Sequence, residues 1–130
     1  MTRRDQAEIV LACALLPLAL ELFPATRVLG WLRRVPRRAS ASPPDASLAR
    51  GTDRVLHAAP GPWRYSCLRR AVVLTALLRR AGRDAHVVLG VRRAAAGGFE
   101  AHAWIRCEGT EPYLEPGPVD GFQELRPAAP

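Results

Sequence analysis

Between Ser66 and Gly82 the chain carries a helix whose pattern dictates much of what surrounds it. Leu68, Ala71, Val72, Leu74, Leu77 and Leu78 recur at helical spacing, with Arg69, Arg70, Arg79 and Arg80 reading as the opposite side. Ser66 is a preferred N-cap and Gly82 a natural stop. Cys67 opens this helix. The free N–H groups and macrodipole of a first helical turn favour an anion, so this is a place where a thiolate, the nucleophilic form, is stabilised. Alone, a cysteine on an apolar helix reads as a small hydrophobe. What changes that reading is Ala101-His102-Ala103-Trp104, further along the chain.

The chain has 130 residues, enough for one domain with a modest core. Its apolar content of 48% excludes a disordered chain. All 19 basic residues are arginine, which reflects genome composition more than function. Charge is uneven: residues 1–99 hold 17 arginines against 6 acids, and residues 100–130 hold 2 against 6. A basic face attracts acidic partners. The aromatics do not interleave with the arginines as a base-stacking platform requires, which argues against nucleic acid. Three cysteines with no CxxC pair fit neither a disulfide framework nor a metal site, so no cofactor or metal is expected and the cytoplasm is the expected compartment.

Residues 1–46 read as an N-terminal helical arm and linker, and residues 47–130 as the core that bears the cysteine. The run Ile9 to Leu20 follows Arg3 and Arg4, but Asp5 and Glu8 spoil a signal peptide's basic start. Pro17 interrupts it and Glu21 closes it short of a membrane span, leaving a buried helix with a proline bend. Arg27 to Arg38 is a short basic amphipathic stretch suited to packing on its own domain, to a partner or, less well, to a membrane surface. Ala39 to Ala46 is the clearest linker. Leu48 to Ala58 forms a helix carrying His57, which reads as structural. Ala85 to Arg92 and Phe99 to Cys107 read as two strands of a hairpin turning at Ala94–Gly98, with a third strand expected at Tyr113 to Glu115. On the second strand His102, Trp104 and Arg106 share one face, and Cys107 lies on the other. His86, in the first strand, reads as structural, and Cys13 and Cys107 as buried hydrophobes.

A cysteine opening a helix, then a histidine on a hairpin, then a carboxylate, supplies the parts of a Cys-His-acid triad. The segments C-L-R-R-A-x-x-L-x-x-L-L-R-R-A-G from Cys67, V-V-L-G-V-R, and F-E-A-H-A-W-I-R-C-E-G resemble those of the lasso-peptide leader peptidases, a transglutaminase-like branch of the papain-type cysteine proteases. The resemblance covers roughly residues 48–116. It implies an α+β fold: N-terminal helices and a transglutaminase-like core, with the cysteine's helix packed on a small antiparallel sheet. It also implies a cysteine peptidase that frees a ribosomally made precursor from its leader, beside a leader-recognition protein and ahead of an ATP-dependent lasso cyclase. Cys67 matches the nucleophile and His102 the general base.

Two departures stand out. The family's usual acid is an aspartate, and the in-frame match here is Glu115, which needs one extra residue in the Gly109–Thr110 turn. Of the acids within reach, Glu108 and Glu111 sit in that turn, and Asp120 lies beyond Pro116-Gly117-Pro118 as the next candidate. No glutamine lies between Gln6 and Cys67 to serve an oxyanion hole, which leaves the Cys67 N–H and either Trp63 or Tyr65 as donors. A transglutaminase-like acyltransferase would use the same residues, and a non-catalytic adaptor with a basic docking arm would use none of them.

Overall fold

The structure is a computed structural model and describes residues 1–125. Among these residues four helices come first in chain order: α1 (Arg3–Leu22), α2 (Ala25–Leu32), α3 (Asp45–Ala58) and α4 (Cys67–Arg80). A 3₁₀ turn at Gly61–Trp63 precedes α4. Strands β1 (Ala85–Arg93), β2 (Phe99–Cys107) and β3 (Gln123–Leu125) form an antiparallel sheet in the order β2-β1-β3. The fold is α+β.

Helix α4 is the centre. Every residue from Arg70 to Leu78 is buried, so the helix is enclosed on all sides and is not amphipathic along its middle. One side packs Ala71, Val73, Leu74, Leu77 and Leu78 against Ile9 and Cys13 of α1, Leu48 and Leu56 of α3, and Ala103, Ile105 and Cys107 of β2. The other side packs Val72 and Ala76 against Val28 and Leu32 of α2. Each Leu or Val buried in this way contributes about 1.5–3 kcal/mol. Ser66 caps the helix, its Oγ accepting from Arg69 N at 3.1 Å. Gly82 ends it with φ of 86°, a left-handed conformation that glycine adopts without penalty.

The sequence pattern placed Arg69, Arg70, Arg79 and Arg80 together on a solvent side. Arg70 is instead 4% exposed. A second correction concerns the third strand. Tyr113 to Glu115 does not pair as a strand: Leu114 takes a left-handed φ of 56°, which breaks extension, and the sheet's third member is Gln123–Leu125.

Helix α1 continues unbroken through Pro17, which is buried. Among the described residues no helix is long and apolar enough to cross a membrane. The basic stretch after α2 is partly tied down. Arg38 Nη1 donates to Asp5 Oδ1 at 3.0 Å and Glu8 Oε2 at 2.7 Å, and Arg38 N donates to Arg80 O at 2.7 Å. Arg80 reaches the same glutamate at 2.8 Å. These pairs clamp the start of α1 and the loop after α2 onto the end of α4, leaving Arg33 and Arg34 exposed nearby.

Candidate active site

Cys67 is the first residue of α4, half-buried, with Tyr65 and Leu68 beside it against the core. The approach to it is well held. Tyr65 N donates to Leu56 O at 3.0 Å, and Trp63 Nε1 donates to Ala14 O at 2.8 Å, tying the turn to α3 and α1. The Trp63 indole is thus spent on α1. The Tyr65 ring stacks on exposed His57, centroids 4.1 Å apart and planes 8° apart. Burial raises the Tyr65 hydroxyl above its ordinary pKa of 10.0. The positive charge of Arg70 opposes that rise, while Asp53, Glu115 and Cys67 add to it. The phenol therefore stays protonated and able to donate, in the combined field of the cysteine and the candidate acid.

His102 lies on β2, in register with Gly90 of β1. Its face of the sheet is built from aromatics. Trp104 stacks near it at 5.9 Å and Phe122 at 5.4 Å, and Trp104 is only 3% exposed. Gly90 makes this possible: a Cβ there would stand 2.4 Å from Trp104 Cη2. His102 Nε2 donates to Glu115 Oε1 at 3.0 Å, and the Glu115 side chain is 8% exposed. With Nε2 turned to the carboxylate, the lone pair of the neutral ring sits on Nδ1.

The side chains of Glu108 and Glu111 are occupied elsewhere. Glu108 accepts from Asp84 N at 3.1 Å, and Glu111 pairs with Arg106 at 2.8 Å. Asp120 meets Arg92 through its backbone carbonyl at 3.1 Å, and it is Glu115, not Asp120, whose carboxylate bonds His102. The structure thus brings His102 and Glu115 into direct contact. Cys67 reaches that segment indirectly, because Arg70, one turn further along α4, donates to Leu114 O at 2.6 Å. Sequence reasoning missed Arg70, which follows Arg69 directly and carries no local signal of its buried partners.

Cys13 and Cys107 are a different kind of thiol. Burial, reinforced by Asp53, pushes Cys13 up to about 11, and burial likewise raises Cys107. Neither is suited to act as a thiolate near neutral pH. His57 stacks on Tyr65, and His86 pairs with Asp84 at 2.8 Å. Among the described residues no three His, Cys, Asp or Glu side chains form a metal-binding group.

A helix-opening cysteine packed on an antiparallel sheet, with a histidine on that sheet bonded to a carboxylate from the segment beside it, defines an α+β domain of the cysteine acyl-transfer type. The description that matches is the transglutaminase-like superfamily, over residues 12–127, and the chain belongs to it. Its enzymes usually carry a Cys-His-Asp triad. Comparison with curated proteins and with solved structures finds no match.

Proposed function

We propose that this protein is a cysteine peptidase that removes the leader from a ribosomally made lasso-peptide precursor, with Cys67, His102 and Glu115 as its triad. The observation that supports it most is the His102–Glu115 hydrogen bond, found in a superfamily member whose helix α4 opens on cysteine. The resemblance of the segments around Cys67 and His102 to the lasso leader peptidases narrows the substrate.

In this mechanism His102 Nδ1 takes the Cys67 proton and the thiolate attacks the carbonyl carbon of the scissile peptide. The carbonyl π pair moves to oxygen, where the backbone N–H of Cys67 and the Tyr65 hydroxyl receive the oxyanion. Collapse expels the core peptide's amine, which takes the proton from His102. Water, deprotonated by the same imidazole, then releases the leader as a carboxylic acid and restores the thiol. Glu115 holds the ring's orientation and stabilises the imidazolium formed between steps.

The peptidase works in the cytoplasm beside a separate leader-recognition protein and supplies a free N-terminus to an ATP-dependent cyclase. Exposed Arg33 and Arg34 form the docking point for the recognition protein; Arg38 is excluded because Asp5 and Glu8 already hold it. The test is to incubate a lasso precursor with the protein, with and without its recognition partner, and weigh the products. Free leader acid and free core, formed faster with the partner, are expected. An amine-capped leader would make it an acyltransferase. No product under either condition would remove the peptidase assignment.

A further inference from the structure

We propose that Arg70 is a positioning residue for the triad's acid: held by Asp53, it fixes the Leu114 carbonyl and so sets Glu115 against His102. This rests on the triad reading above.

A guanidinium buried in the apolar centre of a small domain carries a large desolvation cost unless its donors are matched. Here they are. Arg70 Nε donates to Asp53 Oδ1 at 2.7 Å, and Nη2 donates to Leu114 O at 2.6 Å. The first contact joins α4 to α3. The second is to the residue immediately before Glu115.

That segment needs an anchor. Residues 111–116 lie outside the sheet, and Leu114 holds a left-handed φ of 56°, a conformation that costs a branched, non-glycine residue energy. Upstream, Tyr113 N donates to Ile105 O at 2.8 Å and the Tyr113 hydroxyl to Asp45 at 2.5 Å. Downstream comes Pro116, which has no N–H to give. The Arg70 contact is therefore the charged tether nearest Glu115. It also originates one helical turn after Cys67, so one side chain ties the helix of the nucleophile to the segment of the acid. A planar guanidinium can bond the carboxylate and the carbonyl from separate nitrogens; a lysine ammonium, a single point, cannot span both in that geometry.

The experiment compares wild type, Arg70→Lys, Arg70→Met, Glu115→Gln and the Arg70→Lys/Glu115→Gln double variant. Leader removal gives kcat and KM, thermal melting reports folding, and ¹⁵N-histidine NMR follows the His102 ring N–H bonded to Glu115. Arg70→Lys is expected to fold, to lose about 10²-fold in kcat as expected for a misplaced catalytic group, and to keep KM within about twofold. Its His102 ring N–H signal should shift or broaden as in Glu115→Gln. In the double variant the lysine should cost less than about twofold beyond Glu115→Gln alone, since the group it positions is already gone. A folded Arg70→Lys with wild-type kcat and an unmoved ring signal would overturn the proposal, as would penalties that multiply in the double variant. The NMR arm needs no substrate. It judges Arg70 even if the protein proves not to cleave a precursor, and Arg70→Met provides the same readout if Arg70→Lys fails to fold.

Discussion

His102 and Glu115 meet at 3.0 Å although only one of them belongs to the sheet. The histidine is fixed by strand pairing, and the glutamate comes from an irregular segment that runs beside β2 and is fastened at Ile105 and Arg70. Half of the pair is thus set by backbone ladders and half by side-chain tethers. Glu115→Gln keeps the shape but removes the charge that steadies the imidazolium. It is expected to slow leader removal by about 10⁴-fold, the order seen when an orienting acid is lost in other triads. Glu115→Asp, shorter by one methylene, should retain part of the rate. Wild-type kinetics in Glu115→Gln alongside a dead His102→Ala would move the third role elsewhere, to Asp120 first.

The three cysteines separate by environment. Cys67→Ala is expected to abolish cleavage while folding normally. Cys13→Ala and Cys107→Ala each remove a buried sulfur, so they should lower stability by about 1–2 kcal/mol through the small cavity left and still cleave. Iodoacetamide at neutral pH should label Cys67 first, with the labelled position read by peptide mass. First labelling at Cys13 would contradict the raised position of that thiol.

Much of this was legible in sequence because it rests on local rules. Ser66, Gly82 and the apolar spacing between them define α4, and the β-branched run from Ala85 with the small-residue turn at Ala94–Gly98 defines the hairpin. What escaped was decided by partners far away in the chain. Periodicity treats an arginine as a solvent residue, and nothing near Arg70 announces Asp53 or Leu114 as its partners. The third strand was misplaced for a related reason: Tyr113 sends its hydroxyl to Asp45, from the start of α3, and Leu114 turns left-handed, so the extended pattern at 113–115 is overridden. The actual strand, Gln123–Leu125, is exposed throughout and has no alternation to betray it. Glu115 was matched to His102 through the family resemblance, and the contact forms without the strand expected at 113–115; the Trp104 ring lying over Gly90 could not be read, since a glycine in a strand announces a close approach without naming its partner.

That approach is testable. A methyl group at position 90 would clash with Trp104 Cη2 at 2.4 Å and Cζ3 at 2.6 Å, both in a rigid ring, and would crowd Phe122 Cβ at 3.2 Å. Gly90→Ala is expected to cost about 1–3 kcal/mol by overpacking. Because Trp104 and Phe122 both flank His102, kcat should fall as well. The check is thermal melting together with near-ultraviolet circular dichroism of the tryptophans. An unchanged melting temperature and spectrum would mean that Trp104 does not lie across Gly90.

The arm's attachment should depend on pH through Asp5. Its carboxyl is held below the ordinary value of 3.8, first by the Thr2 backbone N–H and the Thr2 hydroxyl and then by Arg38, with burial opposing them. A carboxyl whose folded value is depressed stabilises the fold fully above its unfolded value, and the contribution disappears as pH falls through the lower, folded one. The capping box at Thr2 and the Asp5–Arg38 pair should therefore be intact at pH 7 and weaken below about pH 4. Asp5→Asn keeps the shape but cannot supply the charge, so it should unfold at lower denaturant than wild type at pH 7. At pH 3 the gap should be narrower, because the contribution starts to fall once the pH drops below the ordinary value of 3.8. Urea titrations at both pH values, followed by far-ultraviolet circular dichroism, measure the two gaps. A gap that is as large at pH 3 as at pH 7 would show that Asp5 acts through packing alone, and that its charge does not hold α1 to the end of α4.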